Sequence, residues 1–258
     1  MQSEINNLNS LLIICISLSD QHARRALMTK QLNDIGMPFQ IMDAIRPNPN
    51  QGWPEAYDQN LRLKYAPSDL RLGEIGCYQS HQKSWQLFLE SDNKLCCILE
   101  DDVILHNDFL TSVKSLCATS DSWDLVRLYG IFPRSSKKLE HVYGDHYLVD
   151  YLVKQPNGTQ GYIVNRGAAK TLLEHTSKMI YAIDEAIDRE WEHRLRMRGL
   201  EPAILSQGDF ASTIEKRVDN KKSFWGRLYR EYFRMHSNLS KQAWSCRKRL
   251  RYFLHEII

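Results

Sequence analysis

The sequence predicts an α/β domain with helices on both faces of a mostly parallel sheet, followed by a basic helical tail. Two observations predict this class. Short apolar segments typical of strands alternate along the chain with amphipathic segments typical of helices. In addition, residues 95–99 are apolar throughout, as expected of a strand that is covered on both faces of a sheet.

The predicted elements can be given in chain order. Strands are expected at residues 11–18, 39–44, 95–99, 124–129, 147–153, 161–164 and 202–205. Helices are expected at residues 20–35, 74–91, 166–175 and 184–198. For the first helix, Asp20 is a suitable N-cap and Gly36 stands at the expected end. Residues 46–70 are rich in Pro, Asn and Gln and are expected to form a loop.

The overall composition is that of an ordinary globular protein. The chain has 258 residues, of which 43% are hydrophobic and 25% charged. These values exclude a wholly disordered chain and a collagen-like fibre. No apolar run approaches the ~20 residues that a transmembrane helix needs, which excludes a membrane-spanning enzyme.

Charge is distributed unevenly along the chain. The net charge is +3, but residues 216–258 hold 12 Lys and Arg against 3 Asp and Glu. The preceding residues hold 22 basic against 28 acidic side chains. We therefore expect a domain of residues 1–215 and a separate helical tail of residues 216–258, with different partners.

The tail combines aromatic and basic side chains at helical spacing. Its two segments carry Trp225, Leu228, Tyr229, Tyr232 and Phe233, then Trp244, Tyr252, Phe253 and Leu254, each set among Lys and Arg. Basic amphipathic helices of this kind bind anionic membrane surfaces. Packing on the domain would also explain the stripe, and nucleic-acid binding fits the composition but has no motif to support it. We expect contact with an anionic membrane surface and no nucleic-acid partner.

Three consecutive carboxylates, Glu100, Asp101 and Asp102, follow the apolar strand directly. Ligands of open α/β sheets bind outside the carboxyl ends of the strands. Alternation along an extended chain would point Glu100 and Asp102 to one side and Asp101 to the other. Carboxylate oxygens suit Mg²⁺ or Mn²⁺ bound together with substrate phosphates. A solvated turn before a helix is the alternative, but the buried strand favours a metal–phosphate site.

Blocks such as ILEDDV at residues 98–103 and GEIGCYQSH at residues 73–81 resemble those of glycosyltransferase family 25. This family includes bacterial β-1,4-galactosyltransferases of lipopolysaccharide and lipooligosaccharide biosynthesis. ILEDDV and GEIGCYQSH are the most distinctive blocks. The resemblance also covers Ser17-Leu18 with Arg24-Arg25, FQIMDA at 39–44, GTQGY at 158–162 and the segment around Asp184. These blocks occur in order between about residues 14 and 216, which makes the set more specific than any one block.

The resemblance implies a GT-A-like, Rossmann-type nucleotide-sugar-binding domain, a UDP-sugar donor, a divalent metal and inversion at the anomeric carbon. Asp102 and Glu100 correspond to the outer positions of the family's acidic motif, so they are the expected metal ligands. Asp102 is the first choice, as the ligand bridging the metal to the donor diphosphate. Glu100 is either a second ligand or a residue that faces ribose or the second coordination sphere. The expected donor contacts are Ser17, Arg24, Arg25, Ser80, His81, Glu100, Asp101, Gly158 and Thr159.

Some of these donor contacts have ordinary structural explanations. Arg24 and Arg25 could form a solvated helix face, and His81 could be a satisfied helix residue. Gly158 and Thr159 precede a strand, where they could allow a close approach to a sugar or form a tight turn. Arg127, in a predicted strand, would need an acidic partner if it is buried.

An inverting transfer needs a base for the acceptor hydroxyl. Asp184 and Asp188 are four residues apart at the start of a predicted helix, so they share a face. Carboxylates in a first helical turn also complement the helix dipole, which explains them without catalysis. The resemblance favours Asp184 as the general base, because the family has an Asp directly after an apolar residue in this region. Asp188 is the second candidate.

The expected function is therefore an inverting, metal-dependent transfer of a hexose, galactose from UDP-galactose, to a lipid-linked lipooligosaccharide or lipopolysaccharide acceptor. Residues 1–10 contain no basic residue and one Glu, unlike a secretory signal, so we expect a cytoplasmic protein at the inner membrane. Glucose or another donor sugar, or a different glycan acceptor, is the alternative within the same fold. A non-catalytic nucleotide- or glycan-binding protein recruited to the membrane is the alternative from another class.

Overall fold

A computed structural model describes residues 10–210 and 224–257, without the side chains of Pro49, 224–229 and 255–257. Its strands are β1 (Leu11–Ser17), β2 (Gln40–Asp43), β3 (Leu95–Glu100), β4 (Val103–Leu105), β5 (Leu125–Arg127), β6 (Ser136–Tyr143), β7 (His146–Tyr151), β8 (Gly161–Asn165), β9 (Met197–Glu201) and β10 (Leu205–Gln207). Its helices are α1 (His22–Asp34), α2 (Gln59–Tyr65), α3 (Leu72–Glu90), α4 (Phe109–Ala118), α5 (Arg166–His175), α6 (Ile183–Ile187), α7 (Glu190–His193) and α8 (Phe224–Ile257). Two 3₁₀ turns lie at Pro49–Gln51 and Ser120–Ser122.

Eight strands form one sheet in the order β2-β1-β3-β8-β5-β9-β7-β6. Strand β1 pairs in parallel with β2 and β3, and β5 pairs in parallel with β9. Strand β8 runs antiparallel to β3 and β5, and β7 runs antiparallel to β9 and β6. Within the described residues, six of these eight strands therefore run in one direction. This confirms the predicted α/β class with a mostly parallel sheet.

The strand predicted at residues 95–99 is buried on both faces, which confirms the inference from its apolar run. Cys96 and Ile98 face a core that includes Trp85 of α3 and Leu172 of α5. Cys97 and Leu99 face the opposite core, where α1 and α4 supply Met28, Leu32, Phe109, Val113 and Leu116. The alternating side chains of one strand thus hold a helical layer on each side of the sheet.

The helix predicted at residues 184–198 is wrong. The segment instead forms α6, α7 and strand β9, and Arg194 ends α7 in the left-handed region with φ 64°. Hydrogen bonds within the segment favour this break, because Nε2 of His193 donates to the backbone oxygen of Ile187 (2.8 Å). Pairing of Gly199 with β5 and β7 then fixes the strand. Helical periodicity did not reveal these tertiary contacts.

Two further differences concern loops. Asp20 is not the N-cap of α1, which begins after Gln21, because the Asp20 carboxylate is engaged by both terminal nitrogens of Arg46 (2.8 and 3.0 Å). The loop predicted at residues 46–70 contains α2, whose N-cap Asp58 accepts a hydrogen bond from the backbone nitrogen of Leu61 (2.9 Å). The Asp20–Arg46 contact joins residues 26 apart and is not revealed by the residue order, whereas the N-cap Asp58 is a local signal that the loop prediction missed.

Helix α8 lies in the predicted tail and contacts the rest of the protein through one of its faces. Nζ of the buried Lys248 donates to Asp150 (2.6 Å) and to Glu190 (2.8 and 2.9 Å). The hydroxyl of Ser245 donates to the backbone oxygen of Leu152 (2.6 Å), and Tyr252 donates to Asp150 (2.7 Å). Residues 216–223 and the side chains of Trp225, Leu228 and Tyr229 lie outside the described residues.

None of the described helices, α8 included, has an apolar stretch long enough to cross a bilayer. This agrees with the sequence, in which charged residues interrupt every apolar run.

Candidate active site

A cleft of about 480 Å³, here called the first cleft, opens where β1 and β3 end. The first turns of α1 and α3 and the chain after β2 form its other sides. This is the usual position of ligands in an open α/β sheet. Of the predicted site residues, seven line the cleft: Ser17, Arg24, Ser80, His81, Glu100, Asp101 and Asp102. The structure therefore brings together residues that are up to 85 positions apart in the chain.

Glu100 ends β3 and points towards α3 and the start of β8. Its Oε1 accepts from the hydroxyl of Thr159 and lies 3.3 Å from Nε2 of His81. Burial acts to raise the pKa of Glu100, but the hydrogen bonds and charge of these neighbours outweigh it, so the pKa is lowered. Glu100 is therefore held as a carboxylate.

The imidazole of His81 belongs to a buried hydrogen-bond chain that sequence reasoning missed. Nδ1 of His81 lies 2.9 Å from the hydroxyl of Tyr162, which accepts from Nε1 of Trp85 (2.9 Å). All three side chains are fully buried. Because Trp85 can only donate, the Tyr162 hydroxyl is free to donate to Nδ1, which leaves the Nε2 proton of His81 facing Glu100. The four-residue spacing of His81 and Trp85 on one helix was the available signal.

Asp101 turns to the other side of the strand and is buried against β1 and α1. It accepts from the Ser17 hydroxyl (2.5 Å) and pairs with Nη1 of Arg24 (3.3 Å). The opposite orientation of Glu100 and Asp101 follows the predicted alternation. Arg25 does not line the first cleft; its Nη2 donates to the backbone oxygen of Ser17 (2.7 Å) and to Asp43 (2.5 Å). It thereby fixes the end of β1.

Asp102 is the one carboxylate of the triplet with a buried oxygen that lacks a partner. Its Oδ1 accepts no hydrogen bond from any described residue. Burial raises the pKa of Asp102 to about 6, and the charges of Glu100 and Asp101 add to this rise while Arg24 opposes it. A bound cation would satisfy this oxygen and offset the neighbouring charges. Asp102 with Glu100 therefore fits a divalent cation that prefers oxygen ligands.

A second group of potential metal ligands shares Glu100. The ligand atoms of Cys77, His81 and Glu100 all lie within 4.8 Å of one another. Both ring nitrogens of His81 already have partners, however, and the Cys77 thiol is kept protonated. Burial raises the pKa of Cys77 well above its ordinary value, with further contributions from Glu100, Asp184 and Asp102. These donors fit a cation less well than the carboxylate pair does.

The first turn of α3 closes the cleft opposite the triplet. Its N-terminus, at Leu72 and Gly73, lines the cleft, so the positive end of a 19-residue helix faces it. The hydroxyl of Ser80 donates to Gly76 (2.6 Å) and accepts from the backbone nitrogen of Ile45 (2.8 Å). Ser80 thus holds the chain after β2 against α3. A Cβ on Gly76 would lie 2.4 Å from the backbone oxygen of Ile45, so this contact requires glycine.

Arg127 is buried and has the acidic partner that its position demands. Its Nη2 forms an ion pair with Oδ1 of Asp188, and its Nη1 donates to the backbone oxygen of Gly158. Oδ2 of Asp188 accepts from the backbone nitrogen of Asn157 (3.2 Å). Burial raises the pKa of Asp188 to about 6; Arg127 opposes the rise and Asp184 adds to it. Both oxygens of Asp188 are therefore engaged.

The predicted base candidates lie in different surroundings. Asp188 lines a second cleft of about 210 Å³, bounded by residues 154–157, α6, α7 and α8. Asp184 is only partly buried and is not among the lining residues of either cleft; its Oδ1 accepts from the backbone nitrogen of Glu185 (2.8 Å). The turn that Arg127 contacts contains Gly158, whose φ is 91°. The backbone at this position therefore favours glycine.

The fold and first cleft define the class: an α/β protein with a cleft at the carboxyl ends of parallel strands, the usual ligand position, where carboxylates, arginines and a helix N-terminus meet. The family model of glycosyltransferase family 25 (LPS biosynthesis protein) matches residues 11–187. This match covers more than half of the chain and includes the whole acidic triplet. The chain belongs to glycosyltransferase family 25 and is a glycosyltransferase, as its sequence blocks predicted. Glycosyltransferases use sugar donors and glycan acceptors.

The names of two relatives agree with this assignment. The lipooligosaccharide biosynthesis protein lic2B of Haemophilus influenzae is 29% identical over 185 residues, covering 66% of each chain. The lacto-N-neotetraose biosynthesis glycosyltransferase LgtE of Neisseria meningitidis serogroup B is 28% identical over 181 residues, covering 67% of this chain and 63% of the relative. The chain thus spans about two thirds of the length of these relatives. The crystal structure of A197 from STIV aligns with a TM-score of 0.44 and 12% identity over 83% of this chain and 98% of that one.

Proposed function

We propose that the protein transfers galactose, with inversion, from UDP-galactose to a lipooligosaccharide or lipopolysaccharide acceptor. The observation that carries this proposal is the unpartnered, buried oxygen of Asp102 beside Glu100 in the first cleft. The names of two relatives, a lipooligosaccharide biosynthesis protein and a lacto-N-neotetraose biosynthesis glycosyltransferase, support the acceptor class. A more distant relative, procollagen galactosyltransferase 1-B of Xenopus laevis, 26% identical over 67% of this chain and 30% of its own, supports the sugar.

The donor diphosphate would lie in the first cleft. Asp102 and Glu100 would hold Mn²⁺ or Mg²⁺, which when bound would offset the charge that develops on the departing diphosphate. Arg24 and the N-terminus of α3 line the same cleft and add positive potential there. Ser17 and Asp101 would position Arg24. The Asp101 carboxylate accepts hydrogen bonds from both the Ser17 hydroxyl and the Arg24 guanidinium, so the three side chains form one hydrogen-bonded unit.

Asp184 is the proposed general base, because its Oδ2 has no partner in the described residues whereas both oxygens of Asp188 are engaged. In the reaction, the acceptor hydroxyl oxygen attacks the anomeric carbon while the bond to the diphosphate breaks. The diphosphate leaves with the electron pair of that bond, and Asp184 takes the hydroxyl proton. Asp188 would instead hold the turn at Asn157 and Gly158 in place, through its bonds to Asn157 and Arg127.

An exposed apolar stripe on α8 supports contact with the membrane on which a lipid-linked acceptor would lie. Tyr232, Leu239 and Phe253 are 58%, 58% and 60% exposed, and Met235, Leu250 and Leu254 continue the stripe. The exposed Arg247, Arg249 and Arg251 stand beside it. Such a helix lies in the plane of an anionic surface. We therefore propose that the protein works at the cytoplasmic face of the inner membrane.

Donor hydrolysis tests the proposal most directly. The protein is incubated with Mn²⁺ and UDP-galactose, UDP-glucose or UDP-N-acetylglucosamine, and released UDP is measured with and without a lipooligosaccharide acceptor. We expect UDP-galactose to give the fastest release, and chelation of the metal to abolish it. Faster release from UDP-glucose would change the proposed sugar, and no release from any donor would contradict the proposed reaction.

A further inference from the structure

The second cleft adjoins the first along one short piece of chain. The backbone nitrogen of Asn157 donates to Asp188 in the second cleft, whereas the hydroxyl of Thr159 donates to Glu100 in the first. Two residues of chain span at most about 7 Å. Arg127 holds the turn between them by binding the backbone oxygen of Gly158. At this point the two groups are therefore separated by a single turn of the chain.

The second cleft offers hydrogen-bonding groups that the protein does not use. Gln155 is 4% exposed and lines the cleft, yet its Oε1 has no partner among the described residues. Nε1 of Trp191, another lining residue, is also buried without a partner. Buried amide and indole groups are costly unless something pairs with them. An acceptor and a donor group among the lining residues suit a ligand rich in hydroxyls, such as a saccharide.

The charge of the second cleft is positive. Four cations line it against two carboxylates, Asp188 and Glu185. Asp188 is paired with Arg127, Arg189 with Glu192 and Arg234 with Glu231. Neither Lys154 nor Lys241 has a carboxylate within ion-pair distance in the described part of the chain. Burial lowers the pKa of Lys241, and the charge of Lys154 lowers it further, so the two ammonium groups repel each other. An anion between them would relieve this repulsion.

We propose that the second cleft binds the acceptor saccharide and that Lys154 and Lys241 recognise an anionic group, a phosphate or a carboxylate, on it. This inference rests on the proposed function, since it names the acceptor site of that reaction. Helix α8 contributes Lys241, so the tail forms part of the acceptor site in addition to any surface contact. Gln155 and Trp191 would bind hydroxyls of the same saccharide.

The test compares a neutral and an anionic sugar of the same size. Binding of methyl glucoside, glucose 6-phosphate and inorganic phosphate to the full chain is measured by ligand-observed NMR titration. We expect glucose 6-phosphate to bind at least tenfold more tightly than methyl glucoside or inorganic phosphate. The double variant Lys154→Gln/Lys241→Gln should lose at least tenfold of this affinity, whereas Lys170→Gln, an exposed change on α5, should lose none. Equal binding of the two sugars, or full binding by the double variant, would overturn the proposal.

Two further measurements distinguish this proposal from the proposed function and from binding of the lysines to a lipid surface. UDP affinity should be the same in the double variant and the wild type, because neither lysine lines the first cleft. If the wild type hydrolyses no donor, the proposed function is wrong, regardless of whether glucose 6-phosphate binds to the second cleft. If the double variant loses binding to phosphatidylglycerol vesicles but keeps its affinity for glucose 6-phosphate, the lysines serve a lipid surface and the acceptor-site proposal is wrong.

Discussion

Arg127 and Asp188 form a buried ion pair whose members are 61 residues apart, and the pair supports the turn between the two clefts. Arg127 is 1% exposed, so loss of its partner would leave a charge in the protein interior. We expect Asp188→Asn to lower the free energy of unfolding by about 3–5 kcal/mol, the usual cost of breaking a buried pair. Urea denaturation of the full chain measures this loss.

Asp184→Asn is the matched change, four residues earlier and on the same short helix segment. Because Asp184 is partly exposed and forms no ion pair in the described residues, its unfolding free energy should change by less than about 1 kcal/mol. Transfer should fall by about 10²–10⁴, the usual contribution of a general base. If Asp188→Asn abolished transfer at unchanged stability while Asp184→Asn stayed active, the two roles would be exchanged.

Asp102→Asn tests the proposed metal ligand. The amide keeps the size of the side chain but removes the charge that would bind the cation, so metal-dependent UDP release should fall at least 100-fold. Stability should be unchanged or higher, because burial already opposes ionisation of Asp102. Asp145→Asn, an exposed change in the turn between β6 and β7, is the control. Full Mn²⁺-dependent activity in Asp102→Asn would show that the cation is held elsewhere.

The position of the acidic triplet could be predicted because it depends on local sequence alone. An apolar strand followed by Glu100, Asp101 and Asp102 must end at the sheet edge, and strand alternation separates the first two. The partners of these carboxylates could not be predicted, because Ser17 and Asp101 meet only after β1 and β3 pair. The predicted burial of Arg127 indicated that it needs an acidic partner. The sequence could not identify that partner as Asp188, because the two residues meet only in the folded protein.

The segment at residues 184–198 is a case in which the local sequence pattern predicted the wrong structure. Its apolar spacing is helical, yet α6 and α7 are short and β9 follows them. Hydrogen bonds made by the His193 ring and pairing of Gly199 with two strands outweigh the helical propensity of the segment. The resulting second cleft was therefore absent from any sequence-based expectation.

Gly76→Ala should disturb the first cleft without touching a charged group. The new Cβ would meet the backbone oxygen of Ile45 at 2.4 Å, so the chain after β2 must move away from α3. We expect the KM for the donor to rise several-fold and the free energy of unfolding to fall by about 1–3 kcal/mol. Gly167→Ala in α5, where the nearest atom is 3.4 Å away, is the matched control. It should leave the donor KM unchanged and raise the free energy of unfolding by about 0.4–1 kcal/mol, as alanine does in a helix. Unchanged donor KM in Gly76→Ala would contradict the role of this contact.

His193 should make stability depend on pH. Its Nε2 donates to Ile187 and its Nδ1 accepts from the backbone nitrogen of Leu195 (3.2 Å), so only the neutral ring satisfies both bonds. Burial, together with the nearby His175, lowers the pKa of His193 from its ordinary 6.5 to about 4. Because the unfolded chain binds the proton more readily, the stability it contributes is complete above pH 6.5 and is lost as pH falls towards 4.

The expected loss across this pH window is up to about 3 kcal/mol. Urea denaturation between pH 4 and pH 7 measures it in the wild type and in His193→Gln, whose amide can still donate to Ile187. The variant should show a shallower decline, with a remainder from His175, whose pKa burial also lowers. His141→Gln, at an exposed position in β6, should follow the wild-type profile. Parallel profiles for wild type and His193→Gln would contradict the prediction.

The exposed stripe of α8 should bind anionic vesicles through its apolar side chains as well as its charges. Leu239→Glu removes an apolar contact worth about 1.5–3 kcal/mol and adds a repelled charge, so vesicle binding should fall at least tenfold. Gln242→Glu, one turn along the helix and also exposed, adds the same charge without removing an apolar group. Sedimentation with phosphatidylglycerol-containing vesicles compares both with the wild type. Equal losses in the two variants would mean that charge alone binds the surface, and the absence of wild-type binding would exclude the contact.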